Sequence, residues 1–252
     1  TDTFAKGASK SLMLKGQRVT INGIAKGSGM IAPDMATMLA YIATDASIAP
    51  ACLQKMLQKA VSKSFNAITV DSDTSTSDSV YLLATNKADH QQITDMESKL
   101  GVTFYRALKG VMIELAQQIV KDGEGASKFI TVRVQAAETD SDARTIAFAI
   151  ANSPLVKTAI AGADANWGRI VMAVGKSGAK ADRDRLGISI GGIVIAKNGQ
   201  RKDGYNEGPV AAHMASNDID ILVNVGLGSG EAVVWTCDLT HGYIAINADY
   251  RS

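Results

Sequence analysis

The sequence is 252 residues long, enough to bury a substantial core in one large or two modest domains. Its 26 basic and 25 acidic residues leave a net charge of +1, so no global field draws in nucleic acid or an anionic membrane. Aromatic residues at 5% provide little surface for base stacking, which leaves a small-molecule enzyme or a binding module.

Residues 1–36 are rich in Gly, Ser and Lys and hold one strand candidate, "QRVTING", with period-2 alternation. "TMLAYIA" is a continuous apolar run and reads as a buried strand. In "SIAPACLQKMLQKAVSKSF", Ser47 is a candidate cap and Pro50 falls in the first turn. Leu53, Met56, Leu57, Ala60 and Val61 follow at helical spacing. "NAITV" and "SVYLLAT" read as strands on either side of the polar loop "DSDTSTSD". A long helix follows, with Phe104, Leu108, Val111, Met112, Leu115 and Ile119 on one face, and then the strand "KFITVRVQA". The texture changes near residue 139. Two short helices, "SDARTIAFAIAN" and "SPLVKTAIA", lead to the loop "GADANWGRI". "LGISIGGIVIA", "DIDILVNVG" and "EAVVWTCDL" read as strands, and "KNGQ" carries an Asn-Gly hairpin signal. The pattern predicts mixed α+β, with a first part at 1–138 and a smaller α/β part at 139–252.

Most chemical signals are weak. Cys52 and Cys237 stand far apart with no CxxC, as expected of reduced core thiols in a cytoplasmic protein. His90, His213 and His241 lack metal-ligand spacing, so no metal and no cofactor is expected. No apolar run approaches the roughly 20 residues that cross a bilayer. The first residues lack a signal peptide's apolar centre, and the abrupt opening without Met suggests an internal segment. "GLGSGE" at 226–231 resembles a phosphate loop, but a strand rather than a helix follows it, so a hairpin turn is the better reading. Asp71, Asp73 and Asp78 crowd one loop without the Gly and Glu of an EF-hand. Glu124 lies between two glycines, either as a solvated carboxylate after a helix or within close reach of a ligand.

The stretch "KGSGMIAPDMATMLAYIATDA" raises a sharper possibility. A Thr at a chain terminus carries its own general base, the α-amine, whose pKa of about 7.7–8.0 lies near working pH. Thr37 reaches that state if the Ala36–Thr37 bond is cut by its own hydroxyl attacking the preceding carbonyl. A Thr that is only structural, after a turn, fits the same residues.

Along its whole length the sequence resembles the ornithine acetyltransferase (glutamate N-acetyltransferase) family. The resemblance is carried by "TDTF", the block K-G-x-G-M-I-x-P-x-M-A-T-M-L at 26–39, "VDSDTSTSD", "DGEGASKFI", "GADANWGRI", "WTCDL" and "INADYRS". It implies self-cleavage into an α piece ending at Ala36 and a β piece starting at Thr37, in an α2β2-type assembly. It also implies a layered fold resembling the N-terminal-nucleophile hydrolases. Residue by residue, it makes Thr37 the nucleophile and base, and Thr3, Lys26, Glu124, Asn247 and Ser252 substrate contacts. Two departures stand out. Asp34 replaces the family's usual Asn, and nothing in these residues matches the family's Thr-Gly oxyanion hole. An oxyanion donor is worth ~2.7–4 kcal/mol, so this stretch alone is expected to be a poor catalyst until another region supplies one.

The activity implied is transfer of acetyl from N-acetylornithine to glutamate through an acetyl-Thr37 ester, releasing ornithine and then N-acetylglutamate. Whether acetyl-CoA also serves as donor is left open. The alternatives are an aminopeptidase or amidase of similar architecture, and a non-catalytic amino-acid-binding protein of the same fold.

Overall fold

The computed structural model describes residues 2–31, 38–74 and 77–249. Asp34, Ala36, Thr37 and Ser252 lie outside the described residues. The chain divides into two units, Thr1–Ile68 with Ser72–Asp122, and Thr69–Asp71 with Gly123–Ser252. The sequence texture changes instead near residue 139.

In the first unit, Lys6–Leu14 (β1) and Gln17–Lys26 (β2) form an antiparallel hairpin. Its two turn residues, Lys15 and Gly16, both have positive φ (47° and 86°), which suits the right-handed twist of the strands. The sequence pattern predicts only β2. β1 reads KGASKSLML, and one of its inward positions is a lysine, Lys6, so no apolar alternation marks it. Leu39–Thr44 (β3) pairs antiparallel with β2, and Ser79–Ala84 (β4) parallel with β3, giving the order β1-β2-β3-β4.

β3 is not buried on both faces. Ala40 and Ile42 face the core, whereas Tyr41 is exposed and stacks on Tyr81 of β4 with ring centroids 5.3 Å apart. Between them in sequence lies helix Pro50–Val61 (α1). It is capped at Ala49 without a side-chain hydrogen bond, so Ser47 is not its cap, and Pro50 takes the first helical position, where its missing N–H costs nothing. "NAITV" is not a strand: Phe65–Ala67 form a 3₁₀ turn and Ile68 belongs to no named strand.

Helix Lys99–Lys121 (α2) starts at Ser98, whose side chain accepts from Gly101 N. All six residues expected on its inner face are buried, and it packs against β1 and β2. Gly23 permits the close approach, because a Cβ there would lie 2.7 Å from Leu115 Cδ1.

In the second unit the strands are Phe129–Ala137 (β5), Gly187–Ile190 (β6), Ile193–Lys197 (β7), Gln200–Arg201 (β8), Asp218–Asn224 (β9) and Gly230–Cys237 (β10). Their order is β10-β5-β9-β6-β7-β8. "LGISIGGIVIA" is therefore two strands turning at Gly191–Gly192, both at positive φ. "KNGQ" makes the expected β7–β8 hairpin. "GLGSGE" is not a hairpin turn: β9 and β10 flank β5 on opposite sides, and the glycines carry the chain across the end of β5. A Cβ on Gly228 would lie 2.7 Å from Ala137 O.

The helices of this unit are Asp140–Ala151 (α3), Pro154–Ala161 (α4), Trp167–Lys176 (α5), Glu207–Met214 (α6) and His241–Asp249 (α7). α5 begins inside the expected loop "GADANWGRI", capped by Asn166. The core of the unit joins Ile130, Val132 and Val134 of β5 to Ile146 and Ile150 of α3 and Ile170 and Val174 of α5. Among the described residues no helix is long and apolar enough to cross a membrane.

Candidate active site

The first unit brings the two ends of the specific block into register. Lys26, the last residue of β2, pairs across the sheet with Leu39, the first of β3. After Lys26 the chain leaves the sheet at Gly27, which has φ +148°, and Gly27 N donates to Asp2 Oδ1 at 2.9 Å. Met38 N donates to Asp78 Oδ1 at 2.5 Å, so one acid of the "DSDTSTSD" loop holds the backbone next to Thr37 in sequence. The contact spans 40 positions and so is not the local turn bond expected of this loop. No cluster of three His, Cys, Asp or Glu residues able to hold a metal occurs among the described residues.

Around Thr3 lies a buried charge network. Asp122, at the C-cap of α2, accepts from Thr3 N at 2.9 Å, from the Thr3 hydroxyl, and from Lys6 Nζ at 2.5 Å. Lys6 also donates to Asp2 Oδ1 at 2.5 Å, and the Asp122 carbonyl accepts from the Ser28 hydroxyl at 2.8 Å. The Lys6 side chain is fully buried and that of Asp122 is 2% exposed. Burial raises the Asp2 carboxyl, but the Gly27 N–H, Lys6 and the charge of Lys26 together outweigh it and hold the group below its ordinary range. Asp2, Thr3 and Asp122 stand in "TDTF" and "DGEGASKFI", but no local signal marks their pairing with Lys6, because an Asp after a helix and a Lys in a Ser-rich strand both look solvated.

In the second unit Glu124 and Asn247, 123 positions apart, are brought together: Asn247 Nδ2 donates to Glu124 Oε2 at 2.9 Å. Asn247 sits on α7 and also donates to Tyr243 O at 3.1 Å. The glycine beside Glu124 makes this meeting possible. Gly125 has φ +68°, and a Cβ there would lie 2.2 Å from Tyr243 N. Its carbonyl accepts from the Thr240 hydroxyl at 2.6 Å. Asp238, buried, accepts from Ser127 N at 2.8 Å, Ser127 Oγ at 2.5 Å and Lys128 N at 3.0 Å. Asp238 and Thr240 thus clamp the "DGEGASK" turn from both sides of "TCDLTHG".

Deeper in this unit Lys157 donates to Val70 O and Thr236 Oγ1, both at 2.8 Å, and to Cys237 O at 2.5 Å. Burial pushes its ammonium down, against the pull of Cys237, Asp238 and Asp71. Burial likewise raises the Cys52 and Cys237 thiols, which suits inert core cysteines. The motif "GADANWGRI" contributes Asp164, Asn166 and Trp167 to a polar depression of about 300 Å³ that Arg201, Tyr205 and Glu207 also line.

Comparison with known proteins bears on the whole chain. The model of the ArgJ family matches residues 1–252. The arginine biosynthesis bifunctional protein ArgJ of Zymomonas mobilis is 59% identical over 252 residues, covering all of this chain and 62% of that protein. The ArgJ protein of Ruegeria pomeroyi is 58% identical, covering all of this chain and 60% of that protein. The chain thus spans about three fifths of the length of these relatives. The crystal structure of the Bacillus halodurans ArgJ protein superposes with a TM-score of 0.82 at 43% identity, covering 85% of this chain and all of that one.

Proposed function

The chain belongs to the ArgJ family, and from that premise we propose that it carries the acetyl-transfer site of an arginine-biosynthetic glutamate N-acetyltransferase. The observation that carries the reading is the cross-strand pairing of Lys26 with Leu39, which sets the lysine of the specific block opposite the strand that begins two residues after Thr37. Cleavage of Ala36–Thr37 frees the Thr37 amine, which takes the proton as Thr37 Oγ attacks the acetyl carbonyl of N-acetylornithine. The tetrahedral intermediate collapses to acetyl-Thr37 with release of ornithine. Glutamate's neutral amine then attacks the ester, giving N-acetylglutamate and free Thr37.

Lys26 holds an anionic substrate group and, by like-charge repulsion, favours the neutral Thr37 amine. Glu124 is suited to the cationic side chain of ornithine. Asn247, which has both donor and acceptor atoms, is suited to the amino-acid end together with Ser252. Thr3 completes the contacts. The relatives are bifunctional, so we extend the donors to acetyl-CoA, in a cytoplasmic setting and an α2β2-type assembly of the two pieces. The oxyanion hole is assigned to a region outside this sequence.

Intact mass and terminal sequencing of the native protein test the reading. The expected result is a β piece beginning TMLAYIATDA that gains an acetyl group from N-acetylornithine and loses it to glutamate. Thr37→Ala should abolish both events. An uncut chain with full transfer activity, or an acetyl adduct that water removes as fast as glutamate does, would sink it.

A further inference from the structure

The Thr3 hydroxyl has one proton, and that proton is committed. Thr3 Oγ1 donates to Asp122 Oδ1, while Asp122 Oδ2 is taken up by Thr3 N at 2.9 Å and Lys6 Nζ at 2.5 Å. A carboxylate paired with a buried ammonium can only accept, so the polarity of the Thr3–Asp122 bond is set by Asp122. Reversing it would take the Thr3 proton away from a carboxylate whose side chain is 2% exposed and so has almost no water to replace it. Thr3 itself remains exposed, with its hydroxyl lone pairs still available. The network is also continuous. Lys6 ties Asp122 to Asp2, Asp2 holds Gly27 N, and the Asp122 carbonyl holds the Ser28 hydroxyl, so the residues flanking Thr3 and those following Lys26 share one anchor.

We propose that Asp122, held by Lys6, is a positioning residue that fixes Thr3 as a hydrogen-bond acceptor, so that the substrate group facing Thr3 is an N–H donor. The inference rests on the acetyltransferase reading. Within it, the group is the nitrogen that carries or receives the acetyl: an amide N–H in N-acetylornithine and N-acetylglutamate, an amine in ornithine and glutamate. Every amino-acid species in the two half-reactions presents such a donor. Thr3 accordingly discriminates against ligands that place an ether or ester oxygen there, because two acceptors would then face each other. It makes no favourable contact with a carboxylate or an acetyl oxygen.

The test compares two acetyl donors on the native protein: N-acetylornithine, and its 2-acetoxy isostere, in which an ester oxygen replaces the N–H. Thr3→Val removes the hydroxyl at nearly constant shape, and Thr3→Ser keeps it. The expected result is a loss of about tenfold in kcat/KM for the amide donor with Thr3→Val and little loss with Thr3→Ser. The acetoxy donor should be unaffected or improved by Thr3→Val. A merely structural Thr3 would lower both donors equally, and that result overturns the role of the Asp122–Thr3 pair while leaving the acetyl-transfer reading standing. A protein with no acetyl transfer from either donor before substitution overturns both. A ligand-bound crystal structure of the unsubstituted protein gives a reading independent of any variant's folding. Thr3 Oγ between Asp122 Oδ1 and a substrate nitrogen supports the proposal, and Thr3 Oγ facing a substrate oxygen overturns it.

Discussion

Asp2 shows how a single carboxylate is set by competing terms. Burial favours its neutral form, yet the Gly27 N–H, Lys6 and the Lys26 charge together leave its folded pKa below the ordinary value. A depressed carboxylate contributes stability that is fully present above its unfolded pKa of about 3.9 and is lost as pH falls through the folded pKa. Asp2→Asn should therefore cost stability at neutral pH, by under about 1 kcal/mol because 29% of the side chain stays exposed and solvent screens it. The difference between the two proteins should shrink as pH falls below about 3.9. Urea midpoints at pH 7 and at pH 3 check this, and a pH-independent difference would show that the Gly27 contact is made without charge. Lys157 has the opposite sign, a buried ammonium pushed down by desolvation. Its three short contacts to Val70, Thr236 and Cys237 show why it is retained: it donates to acceptors that no water reaches.

Among the elements, two glycines separate backbone constraint from helix propensity. Gly125 lies in the turn under α7 at φ +68°, where a Cβ would overlap the backbone of Gly242 and Tyr243. Gly125→Ala should cost about 2 kcal/mol or more through strain, and should displace α7 so that Asn247 no longer reaches Glu124. Gly110 sits within α2, and nothing lies inside 4 Å of the point a methyl group would occupy there. Gly110→Ala should stabilise by about 0.5–1 kcal/mol, since only backbone entropy changes. Thermal unfolding of the two variants checks the contrast, and limited proteolysis within α7 should accelerate only for Gly125→Ala. Elements with strong periodicity, such as α2 and β9, are legible because their burial follows their own repeat. β1 is not, because one of its inward residues is Lys6, whose acceptor Asp122 lies 116 positions away.

Across the molecule, protection should follow position in each sheet rather than apolar content. β5 and β9 are flanked by strands on both sides, whereas β8 is a two-residue edge strand and α7 has no buried residue. Hydrogen exchange is expected to be slowest in β5, β9 and the buried face of α2, and fastest in β8 and α7. Exchange in α7 as slow as in β5 would show that α7 is held by more than its contacts to the Glu124 turn and the Tyr243 hydroxyl's bond to Asp71. The site is unevenly legible for the same reason. Lys26, Glu124, Asp122 and Asp238 all stand in short, distinctive motifs, but Asp122 and Asp238 act through partners more than 100 positions away, and Lys6 stands in no motif at all.

The mixed α+β class, the inner face of α2, most strands of the second unit and, through the block at 26–39, the family are all written in the chain itself. Those signals are local: a period of two or 3.6 residues, an Asn-Gly turn, or a run of residue types specific enough to stand alone. Folding in three dimensions was needed to expose Tyr41 of β3 for stacking on Tyr81, to cap α1 at Ala49 rather than Ser47, and to carry "GLGSGE" across β5 instead of closing a hairpin. The meeting of Glu124 with Asn247 and the donation of the Thr3 proton to Asp122 are of the same kind. Each of these depends on which distant segment arrives alongside, and a hydrogen bond across more than 100 residues leaves no periodic trace in the chain that makes it.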